Sequence, residues 1–338
     1  MQYTPIVKAD PTCLLAVARS ISRPSLTPLL VFDNEDIAQL RVRATRLRFA
    51  EHHVAVDIRA DARQHHLRSL AQSFAPLTSS GARCRPVISI DDDPVALREV
   101  GAWAAATDSD LVLRLRVFSL GARERIQQAM VLASASTRTP RHRIHVLLDQ
   151  ADDPNGDTAG PLVRLLAENG PWASITIAAG SAPAMSSVTR RGEWTRAERK
   201  ELRIMTALNQ LGDLGTPLGI GDYTNRHPLL EANLTHARGN GFRWTTSDDW
   251  YLLREPANGA ASTMGSRRDG LLHLADLGAL ATEVTRSWGE RSMAKFLHGE
   301  AEADQINAWM INHHIELTAD DVAGGRRERV VLASAVAR

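Results

Sequence analysis

A short β-rich run followed by a stretch with helical spacing recurs along the first two thirds of this chain. Eight such runs can be marked: Pro5–Lys8, Thr27–Phe32, Val54–Arg59, Pro86–Ile90, Asp110–Val117, Arg143–Asp149, Ala173–Ala178 and Pro217–Asp222. Helical stretches follow at Pro11–Ile21, Glu35–Glu51, Arg63–Phe74, Pro94–Ala106, Ala122–Ala135, Gly160–Asn169 and Arg196–Leu211. The runs begin about every 30 residues, the length of one strand–helix–strand unit. Strands that alternate with helices pair in parallel, because an antiparallel hairpin needs no crossover. Eight units predict an α/β fold, a (β/α)8 TIM-like barrel. A doubly wound open sheet would carry a glycine-rich turn after its first strand. That turn reads Lys8-Ala9-Asp10-Pro11, without glycine.

After Tyr223 the rhythm changes. Phe242–Thr246 and Trp250–Arg254 read as a hairpin around Ser247-Asp248-Asp249. Arg267–Trp288 and Met293–Met310 read as helices, Ile315–Thr318 as a short strand, and Arg329–Ala337 follows. The expected division is a barrel over 1–223 and a capping extension over 224–338, packed on the barrel and not independent. Asn155–Gly160 and Gly180–Ser187 read as exposed loops, and Arg190–Arg203 as a solvated helix.

Strands of a parallel sheet are buried on both faces and should be nearly continuous apolar runs. Several here are not. Leu111, Leu113 and Leu115 share one face of the fifth run, and Arg114 and Arg116 the other. If the apolar face meets the helices, both arginines aim into the barrel. The same parity turns Asp57 and Arg59 inward, and likewise Asp149. Lys8 and Asp222 close the first and eighth runs, and Asp91, just after the fourth, shares a face with Ser89. These residues gather at the C-terminal ends of the strands, where such barrels carry their active sites.

Two readings of this set stay open. Four cations against four carboxylates can balance as a structural ion network. Alternatively they line a pocket. Lys8, Arg59, Arg114 and Arg116 would take a small anionic ligand. Asp57, Asp91, Asp149 and Asp222 would hold a divalent metal or move protons, as in a metal-dependent phosphoester hydrolase. No fixed ligand spacing or catalytic signature selects among these. Trp244, Trp250, Trp288 and Trp309 crowd the last third and could pack or form a partner surface, which would make the chain a protein-binding scaffold.

Charge narrows the partners. Lys and Arg number 40 against 39 Asp and Glu, a net +1, which gives no general attraction to nucleic acid or anionic lipid. No window approaches the ~20 apolar residues that span a bilayer. No basic-then-apolar leader opens the sequence, and its two cysteines form no CxxC pair. A cytoplasmic protein is expected, with no membrane and no direct nucleic-acid ligand.

The segments Tyr3-Thr-Pro-Ile-Val-Lys8, Gly221-Asp222-Tyr223, Phe242-Arg-Trp-Thr-Thr246 and Trp309 with Asn312-His313-His314 resemble, in order, elements of the phage beta protein family. Thr224 stands where that family has glycine, and Asp10-Pro11 where it often has Gly-Glu. The resemblance implies an origin in phages, phage satellites or bacterial defence loci such as the gop–beta–cII cassette. It implies anti-phage defence or toxin control beside a Gop-like partner encoded nearby. Its recurrent positions include Tyr223, His313 and His314, which with Trp244 join the candidate site; the resemblance carries over no catalytic role, and His313 is taken as the catalytic candidate and the others as ligand-binding. In an extended segment, His313 and His314 would point to opposite sides.

Overall fold

The structure is a computed structural model. It describes residues 1–20, 25–32, 53–58, 74, 78, 83–89, 91–116, 123–180, 182–183, 193–225, 241–254, 272, 287–300 and 303–324. The expected helices Glu35–Glu51 and Arg63–Phe74 lie, almost entirely, outside the described residues. So do Arg267–Trp288 up to residue 286, Arg329–Ala337, the candidate Arg59 and most of the loop 180–187.

Eight parallel strands close into a barrel: β1 (Gln2–Lys8), β2 (Leu29–Phe32), β3 (His53–Ile58), β4 (Arg83–Ile88), β5 (Leu111–Arg116), β6 (Ile144–Asp149), β7 (Ser174–Ala178) and β9 (Leu218–Asp222). Strand β9 pairs with β7 on one side and with β1 on the other, where Gln2 sits opposite Gly219 and Pro5 opposite Asp222. All eight strands stand within a few residues of where the period placed them. Helices α1 (Pro11–Ala18), α2 (Pro94–Ala106), α3 (Arg123–Thr137), α4 (Gly156–Glu168) and α5 (Glu201–Asn209) fall between strands. Asp10 and Asp93 cap α1 and α2, each accepting from a backbone N–H of the first turn ahead of a proline.

Parity sorts the strand side chains into two cores. Leu111, Leu113 and Leu115 join Val54, Val56, Ile144, Val146 and Leu148 in the outer core beneath the helices. Ile6, Val31, Ala55, Val87, Val112 and Leu147 fill the barrel itself. Gly221 faces inward at the β1–β7–β9 seam, where a Cβ would stand 2.8 Å from the Thr4 carbonyl oxygen and 3.0 Å from the Ala178 Cβ. The interior therefore has three tiers: an apolar plug between a charged tier at the strand C-termini and a polar tier at the N-termini.

Beyond the barrel the structure corrects the sequence reading in several places. Trp194–Glu198 is a strand, β8, not a solvated helix. It pairs antiparallel with β11 (Asp249–Arg254), which pairs in turn with β10 (Gly241–Thr245), making a three-stranded sheet. The hairpin β10–β11 matches the expected one. Asn155–Gly160 is not a loop. Asn155 caps α4, its side chain accepting from the N–H groups of Asp157 and Thr158. The single helix expected over Met293–Met310 is broken between α6 (Trp288–Leu297) and α7 (Ile306–Val322), and Ile315–Thr318 lies inside α7.

Helix α7 is buried almost all round. Ala308, Ile311, Ile315, Ala319 and Val322 complete the outer barrel core against α1 and β1. Trp309 and Met310 pack instead with Phe242, Trp244, Met293 and Phe296. Residues on both sides of position 223 thus share one core. Gly289 lets α6 cross α7 closely, since a Cβ there would fall 2.1 Å from the Trp309 carbonyl oxygen. Both cysteines are buried, and burial pushes the Cys84 thiol up to about 12. Among the described residues no helix is long and apolar enough to cross a membrane.

The lower tier makes folding sensitive to acid. Burial, then the charges of Arg85 and Arg83, press His53 down to about 4 from its ordinary 6.5. A depressed histidine contributes stability above pH 6.5, and that contribution is lost as pH falls toward 4, where the unfolded chain binds the proton first. The His53→Thr variant should lose less stability than the parent between pH 7 and 4.5. Urea unfolding at both pH values measures this, and equal losses would dismiss the assignment.

Candidate functional site

The upper tier is organised around Arg114 near the end of β5. Its Nε and Nη2 donate to Asp149 Oδ2 at 2.9 and 2.7 Å. Its Nη1 donates to Asp57 Oδ2 at 2.5 Å, and Nη2 also donates to the Tyr223 hydroxyl at 2.7 Å. Tyr223 Oη donates onward to the Asp149 carboxylate at 2.6 Å. Asp149 Oδ1 accepts from the Ala151 N–H, so this carboxylate is fixed by backbone as well as by side chains. Asp57 arrives from β3, Asp149 from β6 and Tyr223 from just beyond β9, so four strand ends meet on one guanidinium.

The electrostatics follow from this packing. Burial by itself would weaken the charge on Arg114; Tyr223, Asp149 and Asp57 overcome it and hold the guanidinium firmly protonated. Burial raises the Tyr223 phenol well above its usual range, Arg114 pulls it back in part, and Asp149 raises it further. Tyr223 therefore stays a neutral hydroxyl that accepts from Arg114 and donates to Asp149. Arg116, two residues on, lies 3.7 Å from Asp149, and its side chain is 68% exposed. Lys8 ends β1 half-buried, on the same inward face as Ile6.

Other expected members stand elsewhere. Asp91 is exposed in the turn after β4, which stops at Ile88 because Asp92 captures the Ser89 N–H and Asp93 caps α2. Asp222 faces outward, not into the barrel. Strand β9 alternates, with Ile220 in the outer core, and Asp222 keeps that parity. There it accepts from the Tyr3 hydroxyl at 2.9 Å and the Thr224 N–H at 2.8 Å, and its Oδ2 lies 2.9 Å from His314 Nε2. Burial works against its charge, and His314, the Thr224 N–H and Arg199 more than offset that, so its carboxyl is held below the usual range. The four candidate carboxylates thus occupy three separate places. Among the described residues no group of three or more His, Cys, Asp or Glu side chains could hold a metal ion.

His313 and His314 lie on a helix, and neither reaches the barrel mouth. His314 Nδ1 meets Thr245 Oγ1 at 3.0 Å, and its ring stacks on Trp250 at 4.8 Å. His313 lies between Glu290 Oε1 at 3.1 Å and the Thr245 carbonyl at 2.8 Å, stacked on Trp244 at 4.0 Å. Trp244 and Trp250 are each 1% exposed and Trp309 is 4% exposed, so these three rings are core packing, while Trp288 is half-buried. Trp244 would meet a ligand only by leaving that core.

Arg199 was missed by the sequence reading. It is fully buried and binds Glu201, Asp321, Thr318 and the Thr246 carbonyl. The clue was available: Arg199 stands in the two-residue link between a strand and a helix that opens with Glu201, with an acidic helix farther on to receive it.

With this geometry in view, comparison with known families matches residues 5–320 to the Beta protein family. An eight-stranded α/β barrel whose closing helix is held by an Asn-His-His segment is therefore the form this family takes here. The chain belongs to the Beta protein family. A search of curated proteins finds no match.

Two measurements test the site. In a double-mutant cycle, Asp222→Asn and His314→Gln should each destabilise by about 3 kcal/mol, as expected for breaking one side of a buried pair. Their effects should be non-additive by about 0.5–3 kcal/mol in chemical denaturation. Simple additivity would mean the pair is not coupled. Thr224 has φ +54, in the left-handed region, and its buried Oγ1 has no hydrogen-bond partner among the described residues. Thr224→Gly should stabilise by about 1 kcal/mol, since a β-branched residue is strained there. A drop in Tm would refute the strain.

Proposed function

We propose that this Beta family chain serves in anti-phage defence or toxin control by taking an anionic group at the C-terminal mouth of its barrel, in concert with a Gop-like protein encoded nearby in the cytoplasm. The observation that carries the reading is Arg114, saturated by Asp57, Asp149 and Tyr223, beside an exposed Arg116. The saturated guanidinium forms a rigid floor. Lys8 and Arg116 stand at its rim, so three cations face two carboxylates. Arginine suits a carboxylate or phosphate oxygen pair.

The alternative of a metal-dependent phosphoester hydrolase has less support. Asp57 and Asp149 share Arg114, and Asp222 is committed to His314. The scaffold alternative keeps only the half-buried Trp288 of its four tryptophans, since Trp244, Trp250 and Trp309 are buried.

The test is phage protection by the intact locus. Arg116→Glu should leave protein level and Tm unchanged yet reduce protection about tenfold or more, the effect of losing roughly 1.4 kcal/mol of binding. Native mass spectrometry of the parent should show a bound small anion that the variant lacks. Full protection in a variant carrying both Arg116→Glu and Lys8→Glu would overturn the proposal.

A further inference from the structure

The N-terminal end of the barrel holds a second polar tier, which the mouth cannot reach through the apolar plug. On β4 the inward parity that places Val87 in the plug also places Arg85 one step below it. Arg85 lines a cavity of about 20 Å3 together with Gln2, Thr4, His145, Ser174 and Thr176. That is room for about one or two water-sized spheres.

Two features make this cavity more than a packing gap. The Nε of Arg85 is buried and has no hydrogen-bond partner among the described residues. A buried unpaired guanidinium N–H is costly, and native proteins rarely leave one. The surroundings also behave as a positive field. Burial first and Arg85 among the charges lower both His53 and His145, so both are neutral near pH 7. Asp110, whose charge partly offsets that of Arg85, makes its bonds elsewhere: Arg143 holds it at 3.0 Å and His145 stands 3.5 Å away. The remaining polar lining groups are the hydroxyls of Thr4, Thr27, Thr176 and Ser174, the last already 2.7 Å from His145 Nδ1, and the Gln2 amide; they stand among the apolar side chains of Leu29, Ala55, Val112, Val146 and Leu147.

The geometry points to a small inorganic anion site at the barrel's N-terminal end, in which Arg85 Nε and the tier's hydroxyls hold an ion of chloride size. The volume admits a monatomic anion and excludes a nucleotide or a sugar phosphate. This site is independent of the reading of the mouth. It would tie the stability of the barrel to the anion composition around it, by mass action on the folded state.

The experiment compares the purified full chain in sodium gluconate and sodium chloride at constant ionic strength. Chloride should raise Tm saturably by about 2–4 °C. It should also broaden the chloride nuclear resonance line, and bromide should reverse the broadening by competition. Arg85→Met should abolish both effects. If that variant fails to fold, Ser174→Ala, which keeps the packing, should weaken chloride uptake severalfold. Arg116→Glu at the mouth should respond to chloride as the parent does, which separates failure here from failure there. Identical Tm values in the two salts would mean that ordered water alone fills the cavity, and the site would be withdrawn. Broadening that persists in a folded Arg85→Met protein would overturn it equally.

Discussion

Asp222 joins three parts of the chain that are far apart in sequence. One oxygen takes the Tyr3 hydroxyl from the first strand and the Thr224 N–H from the turn beyond the last barrel strand. The other meets His314 of α7. A carboxylate taken out of water is expensive unless every lone pair is occupied. Here the need to satisfy one group orders the β1–β9 seam, the turn after β9 and the helix that covers them. The same turn carries Tyr223 into the barrel, where it completes the ring of bonds around Arg114. The inner site therefore depends on an outer one, through two adjacent residues whose side chains leave the strand in opposite directions.

The barrel was legible because its signal is periodic. Leu111, Leu113 and Leu115 against Arg114 announce both a strand and its inward face. The same argument, applied to Leu218 and Ile220, would have turned Asp222 outward; the misplacement came from treating the strand's end as the mouth without counting parity. Helix α7 was not legible, for a physical reason. Its sequence carries Asn312, His313, His314, Glu316 and Asp321, all buried. A pattern that reads polarity as exposure cannot see groups whose partners lie in other elements, such as Glu290, Thr245 and Arg199. Arg190–Arg203 failed likewise: alternating charge looks solvated until Arg199 is found enclosed by Glu201 and Asp321.

The interior divides its chemistry by height. Charged groups at the top are paired across four strand ends. The middle is apolar and closely packed, helped by Gly221 at the seam. The bottom is polar and not fully bonded. In barrels of this type the upper end ordinarily carries function and the lower end stability. The upper tier here is held in place, since every nitrogen of Arg114 has an acceptor. Fold alone does not choose a function for such a barrel, because unrelated activities share the scaffold.

The distance along the chain between Asp222 and His314 has a consequence for biosynthesis. They are 92 residues apart. Ribosomes add about 5–20 residues per second, so the histidine follows the carboxylate by roughly 5–18 s. During that interval the eight strands have been made while the outer side of the β1–β9 seam lacks its helix. A nascent chain in this state presents an apolar groove and an unneutralised acid to chaperones and proteases. Messages cut short before α7 would yield products with the strands of the barrel but not its seal. Helix α7 thus acts as a check on synthesis, because only a chain read through Val322 can bury the acid at the end of β9.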